Sequence, residues 1–86
     1  MNIYYTKDSL KFLAKLDKKS VSRIRSGIEG LTHTPPEGDI KEMKGYSDGR
    51  KRLRVGSFRV IYRIDTGGKI DVLYILSIGN RGDIYK

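Results

Sequence analysis

The sequence predicts an α+β domain, with two helices packed on one face of a four-stranded, mostly antiparallel sheet. Three observations carry this. Two stretches between residues 7 and 31 repeat apolar residues at helical spacing. Residues 50–63 form two strand-like runs around Gly56-Ser57. Residues 69–78 are almost continuously apolar or aromatic, as in a strand inside a sheet. With 86 residues in all, the expectation is a single domain over 1–86 that buries about 60–65% of its unfolded surface.

The elements follow in order. Asn2 to Tyr5 reads as a short first strand, and Thr6 suits a helix cap. Leu10, Leu13 and Ala14 are spaced i, i+3, i+4, and Phe12 pairs with Leu16, which predicts a helix over Lys7 to Leu16. Asp17 caps a second helix whose apolar stripe is Val21, Ile24, Ile28 and Leu31. Gly27 and Gly30 each weaken it by roughly 1 kcal/mol relative to Ala. The pair is expected to form an antiparallel hairpin, one helix covering the other.

Thr34-Pro35-Pro36 ends the helical part. Glu37 to Gly49 reads as a loop with a helical turn near Lys41 to Lys44. Then comes a three-stranded antiparallel meander. Its first turn is Gly56-Ser57, where glycine allows the positive φ of a tight hairpin. Its second is Asp65-Thr66-Gly67-Gly68-Lys69.

Counting outward from Gly56-Ser57 pairs Val55 with Phe58, Arg54 with Arg59, Leu53 with Val60, Arg52 with Ile61 and Arg50 with Arg63. Alternation then puts Leu53, Val55, Phe58, Val60 and Tyr62 on the core face. Arg50, Arg52, Arg54, Arg59 and Arg63 share the other. Val72, Tyr74 and Leu76 join them if Gly67-Gly68 sets the register, and a slip of one residue reverses those three. Like charges facing each other across strands are destabilising, so the arginine face needs a reason. It is either a solvated surface, on which arginine stems cover apolar groups, or a surface for phosphate, whose oxygens match planar guanidinium donors in pairs.

Charge favours an anionic partner. The chain carries a formal +8, which points to nucleic acid, an anionic membrane surface or an acidic protein. Lys44, Arg50, Lys51, Arg52, Arg54, Arg59 and Arg63 fall in one stretch that holds a single acid, Asp48. No apolar run approaches the ~18 residues of a membrane span, and no signal-peptide core opens the chain. Cysteine is absent, which excludes disulfides and thiolate zinc sites and fits a cytoplasmic location.

Chemistry is similarly bounded. The sole histidine, His33, reads as a solvated loop residue with no carboxylate pair at ligand spacing, so no metal site is expected. No phosphate-binding glycine loop and no serine or cysteine nucleophile with a paired histidine are present. Cleavage of RNA remains open, because the substrate's 2′-hydroxyl is itself a nucleophile. The protein must then orient the chain, stabilise charge and move protons. Arginine serves the second task but is a poor base. Tyr85 either carries a proton or closes the end of the core.

Arg-Leu-Arg-Val-Gly-Ser-Phe-Arg-Val-Ile-Tyr (Arg52 to Tyr62), then Ser-Ile-Gly-Asn-Arg (Ser77 to Arg81) and a tyrosine four residues on, resembles the RelE family of bacterial toxins in the RelE/ParE superfamily. Met43-Lys44-Gly45 resembles the apolar-Lys-Gly element that precedes the hairpin there. The resemblance implies a RelE-like fold and a ribosome-dependent endoribonuclease that cuts messenger RNA in the ribosomal A site and halts translation. It implies no metal or other cofactor, a toxin that is monomeric alone, no membrane, and a cognate antitoxin with acidic and amphipathic segments. Arg59 falls on the arginine associated with the scissile phosphate, and Arg81 on the one associated with transition-state charge. Tyr85 falls near a tyrosine linked to orienting the nucleotide or taking a proton.

Arg52 is expected to share the phosphate with Arg59 and Arg81, and Lys44, Arg50, Arg54 and Arg63 to contact the RNA backbone. Some members have lysines where Arg50 and Arg52 stand, so a lysine-based proton transfer does not carry over. The alternatives are a ParE-like toxin that inhibits DNA gyrase and a non-catalytic, operon-repressing nucleic-acid binder. Arg59, Arg81 and Tyr85 together favour the nuclease. Lys18, Lys19, Arg23 and Arg25 form a helical face that is either solvated or set against ribosomal RNA. Ile61, Tyr74 and Leu76 read as exposed apolar residues, in an antitoxin groove or a nucleotide pocket.

Overall fold

A computed structural model of the chain describes residues 1–80. In order, it shows β1 (Asn2–Tyr5), α1 (Lys7–Ala14), α2 (Lys18–Gly30), β2 (Asp39–Glu42), β3 (Lys51–Val55), β4 (Phe58–Asp65) and β5 (Val72–Asn80). The strands form one sheet in the order β1-β5-β4-β3-β2. β1 runs parallel to β5, and the other neighbours are antiparallel. The expected α+β architecture is observed. Leu13, Ile24, Ile28 and Leu31 from the helices share a core with Leu53, Val60, Tyr62, Leu73, Ile75 and Ile78 from the sheet. Each helix packs on the sheet itself, α1 against β5 and α2 against β3, rather than one covering the other.

Thr6 caps α1 as expected. Its hydroxyl accepts from the Ser9 backbone N–H at 3.3 Å and lies 2.9 Å from the Leu76 carbonyl, to which it donates. One side chain therefore starts the helix and ties it to β5. The inward stripe of α1 begins at Ser9 and continues through Phe12, Leu13 and Leu16, while Leu10 faces solvent at 46% exposure. The last expected turn tightens, with Lys15 and Leu16 donating three residues back. In α2, Gly27 has a packing reason: a Cβ there would lie 2.8 Å from a Val55 methyl. Lys18, Lys19, Arg23 and Arg25 are exposed on α2, with the Arg25 guanidinium 5.3 Å from the Tyr5 ring centroid.

The hairpin register is as counted from Val55↔Phe58 to Arg52↔Ile61, with Gly56 at φ +57°. The pairing of Arg50 with Arg63 is not made. β3 begins at Lys51, which faces Tyr62. Arg50 is held instead by Asp48, whose carboxylate accepts from its backbone N–H at 3.2 Å and from its guanidinium at 2.8 Å.

Three further differences have physical reasons. First, the sheet has a fifth strand, β2, where a loop and helical turn were expected. Asp39-Ile40-Lys41-Glu42 offers only Ile40 as an apolar residue, too little for a periodic signal. Pairing with β3 makes the strand, and Ile40 sits opposite Leu53 against the core. Second, β5 starts at Val72, because Ile70 is 56% exposed in the preceding turn. Third, β5 carries a bulge at Leu76: Ile61 pairs with Ser77 and Tyr62 with Ile75. Tyr74 faces away from the helices as expected, while Leu76 is the extra residue and is half-buried. Ile61 is not exposed but buried (5%) on the face opposite the helices. Its neighbours there are Arg52, Arg59 and Arg63, and long arginine stems cover apolar surface.

Candidate functional site

Strand alternation builds the site. Leu53, Val60 and Tyr62 point into the core, so Arg52 and Arg54 on β3, with Arg59 and Arg63 on β4, face the side of the sheet away from the helices. Arg54 stands opposite Arg59 in the ladder, and Arg52 opposite Ile61. β2 continues this face, with Asp39 opposite Arg54 and Lys41 opposite Arg52.

The arginines do not share one environment. Arg52 and Arg59 are almost completely buried, at 5% and 3% exposure. Both line a cleft of about 190 Å³ together with Lys41, Glu42, Met43 and Lys44. The Nε and Nη2 of Arg52 have no hydrogen-bond partner among the described residues. The Asp39 carboxylate comes only to 3.9 Å of Arg52 and 3.7 Å of Arg54, too long for hydrogen bonds. A buried guanidinium with unmet donors is costly to the fold. Little water screens such a group, which strengthens its attraction for any anion brought near it.

Of the residues expected in the site, Arg52, Arg59 and Lys44 line the cleft together. Arg54 is beside them but turned to Asp39. Arg63 lies farther along β4, its guanidinium 4.5 Å above the Tyr74 ring. Arg50 is drawn away to Asp48 and sits 4.3 Å above the Tyr46 ring. Hydrogen bonding from Arg50 holds the Asp48 carboxyl below its usual range. Arg81 and Tyr85 lie outside the described residues; β5 ends with Gly79 facing Arg59 and Asn80 facing Phe58. His33 is exposed and paired with Glu37.

Lys41, Glu42 and Asp39 were missed by sequence reasoning, because the strand that presents them was read as a loop. A signal existed. Asp39 and Lys41 alternate around Ile40, and placing Asp39 across from an arginine removes the like-charge penalty that the arginine face otherwise carries.

Comparison with known proteins agrees with this architecture. Residues 3–85 match the family model described as ParE toxin of type II toxin–antitoxin system, parDE. An archaeal RelE–RelB complex from Pyrococcus horikoshii OT3 contains a similar chain, 29% identical with a TM-score of 0.75 over 94% of each chain. The RelB–RelE antitoxin–toxin complex of Methanococcus jannaschii gives 26% identity and a TM-score of 0.66, covering 95% of this chain and 94% of that one. The YoeB/ParE toxin from Agrobacterium tumefaciens shares the fold at 23% identity and a TM-score of 0.77, covering 94% of this chain and 99% of that one. No curated protein sequence matches the chain. With a family model spanning nearly its whole length and neighbours of the same architecture, the chain belongs to the ParE toxin family, and is a toxin of a type II toxin–antitoxin system in the RelE/ParE superfamily.

Proposed function

We propose that this toxin cuts messenger RNA within the ribosome, by attack of the substrate's own 2′-hydroxyl and without a metal, and so stops translation in the cytoplasm. The observation that carries the reading is the burial of Arg52 and Arg59 in one open cleft with Lys41 and Lys44. The 2′-oxygen bonds to phosphorus as the bond to the 5′-oxygen breaks; the first oxygen loses a proton and the second gains one. Arg59 and Arg52 hold the scissile phosphate, and two of its oxygens meet the Arg52 donors that make no hydrogen bond among the described residues. Arg81 stabilises the charge that builds on phosphorus, and Tyr85 stacks on a base or takes a proton. Lys44 and Arg54 contact the flanking backbone. Lys41 and Glu42 bring to the cleft side chains that can carry protons, a task for which arginine is poorly suited.

The partner is an acidic or amphipathic antitoxin, in keeping with the RelB that accompanies RelE in the Pyrococcus and Methanococcus structures; alone, the toxin is a monomer. A second reading, inhibition of DNA gyrase, is favoured by the ParE description of the matching family. Sequencing transcript 5′ ends after induction separates the two. Cuts at codon-defined positions, lost in a soluble Arg81→Ala protein, are the expected result. Intact transcripts with DNA damage would establish the gyrase reading in its place.

A further inference from the structure

The face of the sheet away from the helices has a second half that the cleft does not use. On β1 and β5, core-facing Ile3, Tyr5, Leu73 and Ile75 alternate with residues of the opposite face. Tyr4 and Tyr74 are direct partners in the parallel ladder there. Their rings meet edge to face, with centroids 5.7 Å apart and planes at 64°. The Arg63 guanidinium lies 4.5 Å above the Tyr74 ring. Tyr4 is 56% exposed, a large aromatic surface left to solvent on a small protein.

We propose that Tyr4, Tyr74 and Arg63 form a nucleobase-stacking platform for single-stranded RNA, a subsite separate from the cleft. The proposal rests on the messenger-RNA reading of the cleft and extends it to a nucleotide away from the cut. Continuity supports it: Arg59 and Arg63 lie on the same strand and the same face. Four strand residues span about 13 Å, a distance that a few nucleotides of extended chain cover. Charge supports it as well, because the face leading from the platform to the cleft is lined by guanidinium groups, which suit a polyanion. Tyrosine rings and arginine planes on an open sheet are surfaces on which bases stack with little regard to sequence. The cleft then grips the backbone and the platform grips a base. This holds the strand at two points and fixes its direction across the sheet.

Two oligomers of equal length and charge test this: single-stranded oligouridylate, and the same phosphodiester chain without bases. Each is titrated into the toxin and into its variants, with binding read by fluorescence anisotropy and by amide NMR shifts. Tyr4→Ala is expected to weaken oligouridylate about tenfold, in line with the loss of one stacked base, and to leave the abasic chain unchanged. Tyr4→Phe, which keeps the ring, retains the parent affinity. Arg59→Ala weakens both oligomers. Unchanged oligouridylate binding in Tyr4→Ala overturns the platform and leaves the cleft reading standing. Absence of any response to either oligomer around Arg52 and Arg59 overturns the cleft reading and the platform with it.

Discussion

Arg52→Met separates what the cleft does for function from what it costs the fold. Arg52 is 5% exposed; among the described residues its Nε and Nη2 make no hydrogen bond, and the Asp39 carboxylate, on a half-exposed side chain, is 3.9 Å away. Methionine keeps most of the apolar stem and removes the charge. Replacing buried ionic groups with apolar ones of similar volume is often neutral or stabilising by about 1–4 kcal/mol, and the partner left behind here, Asp39, is half-exposed and stays hydrated. Two unmet donors at about 1–3 kcal/mol each, less the attraction to Asp39, place the gain near 2 kcal/mol. For a domain of this size that raises Tm by about 10 °C. In urea, the midpoint should rise with an unchanged slope. Growth arrest on induction should disappear. Asp39→Asn supplies the control: it should destabilise the parent by about 1 kcal/mol and the Arg52→Met protein by less, with Arg54 accounting for the remainder. A variant less stable than its parent, or one as toxic, would refute the idea that the fold gives up stability to hold this guanidinium ready.

Two further outcomes follow from the core. Burial pushes the Tyr62 hydroxyl up to about 12, from about 10 when unfolded. Below pH 10 the ring is neutral in both states. Between pH 10 and 12 the unfolded chain loses the proton first, so stability falls as pH rises, by about 3 kcal/mol in all. The difference between parent and Tyr62→Phe in urea melts across that range should show this loss in the parent alone. Gly27→Ala gains about 1 kcal/mol of helix propensity, but its Cβ would come 2.8 Å from the Val55 methyl. Overpacking of that kind costs about 1–3 kcal/mol, so net destabilisation is expected, and Val55→Ala in the same chain should relieve it.

What could be read from the residues was mostly what local rules decide. Gly56 placed the turn, and counting from it gave the ladder from Val55 to Arg52, hence the face on which Arg52, Arg54 and Arg59 stand. Thr6 and the 3.6-residue spacing gave both helices. What was missed depended mostly on contacts distant in sequence, and in one case on a competing local ion pair. β2 exists because β3 offers it an edge, and nothing within Asp39-Ile40-Lys41-Glu42 demands a strand. Arg50 left the sheet because Asp48, two residues before it, competes for its guanidinium. The bulge at Leu76 was hidden because an unbroken apolar run shows no interruption of alternation; its marker is the Thr6 hydroxyl, 70 residues away in sequence. Within the site, the composition signalled cationic residues, but not that two of them are buried.

The parallel pairing of β1 with β5 also bears on how the toxin is made. β1 leaves the ribosome well before the strand it pairs with, since Asn2 pairs with Val72 and Tyr5 with Ile75. Until residues 72–80 emerge, β1 has no neighbour and β4 keeps a bare edge beside Arg59. A chain that stops short of Val72 therefore lacks the strand that joins β1 to β4, and cannot assemble the five-stranded sheet.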